Sequence, residues 1–276
     1  MNYAEWDHVF VICAYKQSVY LQQCIDSLNS QSVKTKVIMT TSTPNAFVDR
    51  IAAENHIPLY CNTVTEGRSD IAGDWNYAIR MARKEMGAKL VTIAHQDDLY
   101  KPQYAEQIIR FADRAGHPLL LFTDYSETRE EAAGTTEVAS NRMLRVKRLM
   151  LRPLEKRSRW KSVFWRRRIL SFGSAICCPS VTYAVQNLPD EIFASGFRSD
   201  LDWEAWEKLS KLQGDYVYIP EILMSHRIHP ESATSEIIAD HDRSREDLAM
   251  YERFWPTWIA RIIEHYYQNS EKQNSL

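Results

Sequence analysis

Short apolar runs alternate with stretches of helical periodicity through the first half of this chain. "HVFVICAY" (8–15), "KVIMTTS" (36–42), "IPLYCN" (57–62), "KLVTIA" (89–94) and "PLLLFTDY" (118–125) have the length and continuous apolar character of strands buried on both faces. Between them, Leu21, Cys24, Ile25 and Leu28 recur at helical spacing behind Ser18, a capping residue type. Phe47, Val48 and Ile51 do the same behind Pro44, a residue suited to a first helical position. The stretch from Asp70 to Met86 reads as a helix closed by Gly87, and another helix opens at Pro102 and runs to about Ala115. Strands separated by helices of this length need crossover connections, which predicts an α/β fold with a mainly parallel sheet flanked by helices.

The second half is less regular. Residues 126–141 are polar and loop-like, and residues 142–168 hold twelve Lys or Arg against the single acid Glu155, with tryptophan and leucine interleaved. A weaker β-rich stretch (175–185), a helix around "DWEAWEKLSKL" and a strand "DYVYIPEIL" come next. From about Ser235 the pattern is that of long helices interrupted at Pro256. At 276 residues the chain can bury one substantial core, so one main domain is expected at 1–234, its regular and less regular halves meeting near 125, with a helical extension at 235–276.

Composition narrows the setting only a little. A formal net charge of -2 favours no partner class, and the five cysteines lack the paired spacing of a zinc site or disulfide framework, which fits a reducing cytoplasm. The N-terminal stretch has no basic region before its apolar run, and no apolar stretch reaches the roughly 18 residues that span a bilayer. A cytoplasmic location is therefore expected, at most peripheral to the inner face of the membrane.

The candidate chemistry begins at "LVTIAHQDDLYKP" (90–102), where a buried strand ends in two adjacent carboxylates. Ligand sites in open parallel sheets lie beyond the carboxyl ends of the strands, so Asp97 and Asp98 fall where a ligand belongs. Two acids held together there repel unless a cation joins them, and a hard divalent ion typically uses one or two carboxylates together with substrate phosphates. A solvated turn in which Asp98 caps the next helix is the other reading. The same ambiguity holds for Asp74 and Asn76, and for Asp200, Asp202 and Glu204, which favour a helix start whatever else they do.

Taken in order, "VFVICAYKQSVYLQQCIDSLNSQS", "KVIMTTST", "GRSDIAGDWNYAIRMA" and "LVTIAHQDDLYKPQYAEQII" resemble the family 2 glycosyltransferases of GT-A, Rossmann-like fold, of the bacterial polysaccharide or glycolipid type. The resemblance implies that Ala14, Tyr15, Ser42, Arg68, Asp70, Asn76 and Asp97 contact a nucleotide-sugar. It makes Asp97-Asp98 the end of a D-x-D-D metal motif, with Asp98 the direct ligand of Mn²⁺ or Mg²⁺. "FRSDLDWEAWEKLSK" (197–211) matches the segment that carries the catalytic base, which falls on Asp202. "SHRIHPESATS" (225–235) matches a "Y-R-x-H-x-x-S" stretch, giving His229 to the metal and Arg227 to the departing diphosphate. The chain departs from the pattern at His95, where the family has the first Asp, at Thr40 and Thr41 before Ser42, and at His226 in place of an aromatic.

The implied activity is inverting, metal-assisted transfer of a hexosyl-type sugar from a UDP- or dTDP-sugar to a hydroxyl of a glycan or lipid-linked acceptor. A nucleotidyltransferase is the other enzyme class, weakened by the absence of glycine in the loop "CAYKQSVYLQ". A non-catalytic nucleotide-sugar-binding protein of the same fold is the third alternative. The basic stretch 142–168 could be a solvated face, a peripheral membrane or anionic-acceptor contact, or a nucleic-acid surface. Trp160, Phe164 and Trp165 favour an interfacial helix, and the near-zero net charge disfavours nucleic acid.

Overall fold

The computed structural model describes residues 7–63, 70–131, 134–194, 196–229 and 242–272. The central strand β1 (His8–Ala14) is almost wholly inaccessible, and its continuous apolar run is explained by parallel neighbours on both edges. These are β2 (Lys36–Thr41) and β4 (Leu90–His95), and β3 (Leu59–Cys61) extends the parallel set beyond β2. On the other side of β4 the sheet turns mixed. β8 (Val181–Ala184) runs antiparallel to both β4 and β6 (Pro118–Glu131), and β9 (Asp215–Ile228) runs parallel to β6. The order is therefore β3-β2-β1-β4-β8-β6-β9-β5, with a two-residue β5 (Leu99–Tyr100) closing the far edge of β9 and β7 (Gly134–Val138) paired on β6.

Helices α1 (Leu21–Asn29), α2 (Ala46–Glu54), α3 (Ile71–Met86) and α4 (Tyr104–Arg114) link the first strands, each with one apolar face inward. In α4 the buried set Tyr104, Ala105, Ile108, Ile109 and Ala112 follows the spacing of a single helical stripe. The caps explain where these helices start and stop. Asn45, and not Pro44, caps α2 through the amides of Phe47 and Val48. Asp70 caps α3 through Gly73, and Gly87 ends it at φ +64°. Ser18 lies before α1, which begins only at Leu21, and its hydroxyl receives the Tyr20 amide at 3.3 Å.

Other expectations need correction in the second half. Residues 126–141 are mostly strand: β6 continues to Glu131 and β7 folds back on it, because their backbone groups pair with β9 and with each other, whatever the side-chain polarity. The β-rich stretch 175–185 reduces to β8. The basic stretch forms α5 (Arg142–Leu151) and α6 (Val163–Leu170), joined by short 3-10 turns, and Trp160 between them is a core residue whose indole donates to the Leu154 carbonyl at 2.8 Å. After α7 (Leu201–Leu209) and β9, α8 (Asp242–Glu252) and α9 (Thr257–Lys272) flank Pro256 as expected, while the 234/235 boundary lies outside the described residues. Among the described residues no helix is long and apolar enough to cross a membrane.

Gly214, entering β9, has φ +143°, and a Cβ there would stand 2.6 Å from Leu119 Cγ and 2.7 Å from the His117 carbonyl oxygen. Gly214→Ala is expected to cost on the order of 2 kcal/mol, read as a lower urea midpoint at unchanged slope.

Candidate active site

The end of β4 reaches the carboxyl edge of the sheet, and its turn is held from three sides. Gln96 pairs with the backbone of Tyr15 through two 3.0 Å hydrogen bonds, fixing the loop after β1 against the loop after β4. Cys24 and Ser27 of α1 contact the same turn, the thiol at the His95 carbonyl and the hydroxyl at the Tyr100 amide. From the third side comes β9, which β6 holds in register so that His226 and Arg227 lie opposite Glu127 and Thr128.

Asp98 is fully buried, and β9 neutralises it. Its Oδ1 accepts the Arg227 amide at 2.8 Å and sits 3.0 Å from His226 Nδ1. Burial alone would raise the Asp98 pKa, but the charge and hydrogen bond of His226 bring it below the ordinary carboxylate value. Burial alone would likewise lower the His226 pKa, and Asp98 reverses that, holding the imidazole above its usual value. Asp97 is more open, with Oδ2 2.8 Å from His229 Nε2 and its carbonyl accepting Arg227 Nε at 2.9 Å.

The remaining oxygen of Asp98 bears on a metal. No hydrogen-bond donor among the described residues reaches Oδ2, although the atom is buried. His95 Nδ1 stands 3.9 Å from it, too far for a hydrogen bond but within the span of two ligands of one ion. His95, Asp97 and Asp98 offer ligand atoms within 4.8 Å of one another. This N/O set fits a divalent ion, with His95 contributing where the family has an Asp. Burial lowers the His95 pKa, Asp98 and Asp97 opposing it, which favours the neutral ring that a metal needs. Trp75 stacks on that ring at 5.5 Å and Phe193 meets Trp75 edge-on, so the imidazole is gripped on its face.

Several residues expected at the site are engaged elsewhere. Arg227 is buried with its guanidinium spent on the Asp97 carbonyl, Glu130 at 3.0 Å and Gln23 at 2.8 Å, and it lies over the Tyr20 ring. It braces the Asp97-Asp98 turn. Asn76 binds the 192–193 backbone through both ends of its amide, accepting from Ile192 and Phe193 and donating to Phe193, so it clamps α3 to that segment. Asp70 is the α3 cap. Ser42 donates to Asp74 at 2.7 Å, and Asn62 donates to the other oxygen of Asp74, which draws β2, β3 and α3 together at the same sheet edge. Ala14 is buried at the end of β1, the Tyr15 ring is exposed, and Arg68 lies outside the described residues.

Asp202 occupies the first turn of α7 with its carboxylate accepting its neighbour Trp203's amide at 2.6 Å. Burial raises its pKa to about 6, with that amide, Lys147 and the Cys178 thiol pulling the other way. Asp98 and Asp202 both act on the Cys177 and Cys178 thiols, so the two acids bracket one shared region. Lys147 of α5 faces the same region, 3.0 Å from the Tyr125 hydroxyl and with its charge felt by both Asp202 and His226. Burial pushes both thiols well above their usual pKa, which makes them inert wall residues.

Glu246 of α8 completes the frame. Its carboxylate accepts the successive amides of Arg198, Ser199 and Asp200 at 2.8 to 3.1 Å, filling the orphan donors that precede α7. Trp203 packs edge-on against Tyr251 of the same helix. Lys147, Trp75, Gln96 and Glu246 escape sequence reading because each takes its meaning from a partner far along the chain. His226 alone left a trace, as the residue standing in place of an aromatic in the stretch that resembles the family's.

The family model of glycosyl transferase family 2 matches residues 9–171, more than half of the chain; Asp202, His226 and His229 lie beyond that match. No curated protein matches. Among solved structures, residues 1–349 of S. aureus TarS in complex with UDP-GlcNAc superpose with a TM-score of 0.62 at 12% identity, over 95% of this chain and 72% of that one. The mannosyltransferase PcManGT from Pyrobaculum calidifontis, in complex with GDP-Man and Mn²⁺, gives 0.56 at 12% identity, over 90% of this chain and 63% of that one. At such identities the likeness is one of fold, and it agrees with a mainly parallel sheet whose acids gather at one edge. With the family match, it establishes that the chain belongs to glycosyl transferase family 2.

Proposed function

We propose that this glycosyltransferase is an inverting enzyme that moves a sugar from a nucleoside-diphosphate donor to an acceptor hydroxyl, with Asp202 as base. The observation that carries the reading is the opposite treatment of two acids that both act on the Cys177 and Cys178 thiols. Asp98 is held ionised by His226, while Asp202 is pushed up to about 6, where a carboxylate is still ionised at neutral pH yet more basic than usual. In a single displacement the acceptor oxygen bonds to the anomeric carbon as the bond to the diphosphate breaks. The acceptor proton passes to Asp202, and the nucleoside diphosphate leaves with the electron pair.

Asp97, Asp98 and His95 would hold a divalent ion, with His229 beside Asp97 in reserve. When bound, that ion supplies the positive charge that makes the diphosphate a better leaving group. The chain's own cations add to this: Lys147 and the imidazole of His226 face the same region. Ser42 and the exposed Tyr15 lie at the sheet edge suited to the nucleoside. The bound ligands of the two structural neighbours, UDP-GlcNAc and GDP-Man, support a nucleotide-sugar donor as a class.

Calorimetric titration with UDP, dTDP and GDP, with and without Mn²⁺, tests the donor side. Metal-dependent binding of one nucleotide that Asp97→Ala or Asp98→Ala abolishes is expected; binding of none would overturn the reading.

Asp202→Asn is expected to lower transfer by about 10² to 10⁴-fold while leaving nucleotide affinity in place. The same change has a signed effect on stability. Because its pKa is raised in the folded state, charging Asp202 costs nothing below its ordinary value of 3.8 and costs progressively more as pH rises through about 6. Asp202→Asn is therefore expected to stabilise the protein by on the order of 1 kcal/mol at pH 8 and by nothing at pH values below about 4, measured by denaturant unfolding.

Glu246→Ala is expected to reduce kcat by about tenfold, as misplacement of a catalytic group does, with nucleotide affinity unchanged. Glu246→Gln, which keeps an acceptor oxygen, should fall between. An equal loss of nucleotide binding would show a general unfolding effect instead.

A further inference from the structure

We infer that the outer face of α5, together with the start of α6, is a docking surface for an anionic lipid bilayer. Helix α5 has two working faces. Leu144 and Leu151 enter the core, while Lys147 and Arg148 turn toward Tyr125 and Asp124 of β6. The remaining face presents Arg142, Arg145, Val146, Leu149 and Arg152, spaced three, four, seven and ten residues from the first, and all five are exposed. Val146 is 47% and Leu149 66% accessible, and Phe164 at the start of α6 is 65% accessible. Both helices pack on the same 3-10 turn, Arg152–Glu155, which ties the start of α6 to the end of α5.

Charge selects the occupant. Of the twelve basic side chains in residues 142–168, seven are exposed, against the single acid Glu155, within a chain whose formal net charge is -2, so the rest of the molecule carries an excess of thirteen acidic charges. Basic side chains around apolar ones on one helix face are the pattern of a helix lying in a membrane interface, where the apolar groups enter the acyl boundary and the cations meet anionic headgroups. The rest of the acidic surface is repelled by the same headgroups, which orients the molecule.

The orientation matters for the site. The inner side of α5 delivers Lys147 to the region shared by Asp98 and Asp202, so a bilayer on its outer side lies one helix diameter, about 10 Å, from the acceptor position. An acceptor anchored in that bilayer would need little reach. This last step rests on the glycosyl-transfer reading; the lipid contact itself does not.

The test is co-sedimentation of the full chain with vesicles of phosphatidylcholine alone or mixed with phosphatidylglycerol, at low and high salt. The chain is expected to sediment with the anionic vesicles only, and to be released by salt. Arg145→Glu with Arg152→Glu should weaken binding by at least about 25-fold, at about fivefold per basic side chain lost. Leu149→Glu with Phe164→Glu should weaken the low-salt binding as well. Circular dichroism and the nucleotide titration check that each variant is folded. Failure of the wild-type chain to sediment, equal binding to both vesicle types, or wild-type behaviour of the arginine variant would each overturn the proposal. So would concentration-dependent self-association that Leu149→Glu abolishes without any vesicle binding, which would assign the face to a second copy of the chain. If no nucleotide binds but the vesicle pattern holds, the donor reading fails and the docking surface stands.

Discussion

A carboxylate with no accessible surface, Asp98, sits at the end of a parallel strand beside a second carboxylate, and its charge must be compensated from within the protein. Removing an ion from water costs several kcal/mol unless it is paired and hydrogen-bonded. The compensation comes from β9, more than a hundred residues further along the chain, through the Arg227 amide and the His226 ring. That requirement explains the second half of the sheet. β9 can reach Asp98 only because β6 pairs with it in parallel, with register shifts near Thr123 and Asp124 that bend the strands toward the turn. The antiparallel β8 joins this pair to β4. The two halves of the chain are thus tied by backbone pairing on one side of the acids and by charge on the other.

The same logic recurs at α7 on a smaller scale. The loop entering α7 turns three successive amides, ending at the cap residue Asp200, toward one spot, and Glu246 satisfies them from a helix beyond β9. Arg253, from the end of that helix, pairs with Glu204 and Glu207 on α7. The C-terminal helices therefore anchor the turn carrying Asp202, and their packing is continuous with the site in spite of their position at the end of the sequence. Rigid support of this kind is what a base needs if its carboxylate is to meet an acceptor hydroxyl in one geometry.

How much of this was legible in the sequence depended on how local each interaction is. The strands and helices up to Tyr125 were readable because continuous apolar runs and caps are near-neighbour signals, and the alternation of the two dictates a parallel sheet. The polar run 126–141 was misread as loop because β6 and β7 are held by backbone pairing that side chains do not announce. Asp97, Asp98 and Asp202 stood out through resemblance and through their place after a strand or at a helix start. Their partners did not. Arg227 and Asn76 were assigned to ligand through the resemblance alone; which of their donors are already engaged is decided by residues such as Glu130 and Phe193, which no spacing reveals. Trp160 looked interfacial for the converse reason, since its indole partner is a carbonyl six residues back inside the core.

The substitution of His95 for an acid follows from the same constraint. A third carboxylate within 4.8 Å of Asp97 and Asp98 would add another like charge to a site where one acid is already buried. A neutral imidazole adds a metal ligand without that charge, and its face can be packed by an aromatic ring, as Trp75 does here. An Asp offers no such face. The stacked His95–Trp75 pair and the His226–Asp98 pair are therefore two halves of one adjustment. One ring lightens the negative charge on the ligand side and the other neutralises it from β9, which leaves Asp98 Oδ2 as the buried oxygen still open to a cation.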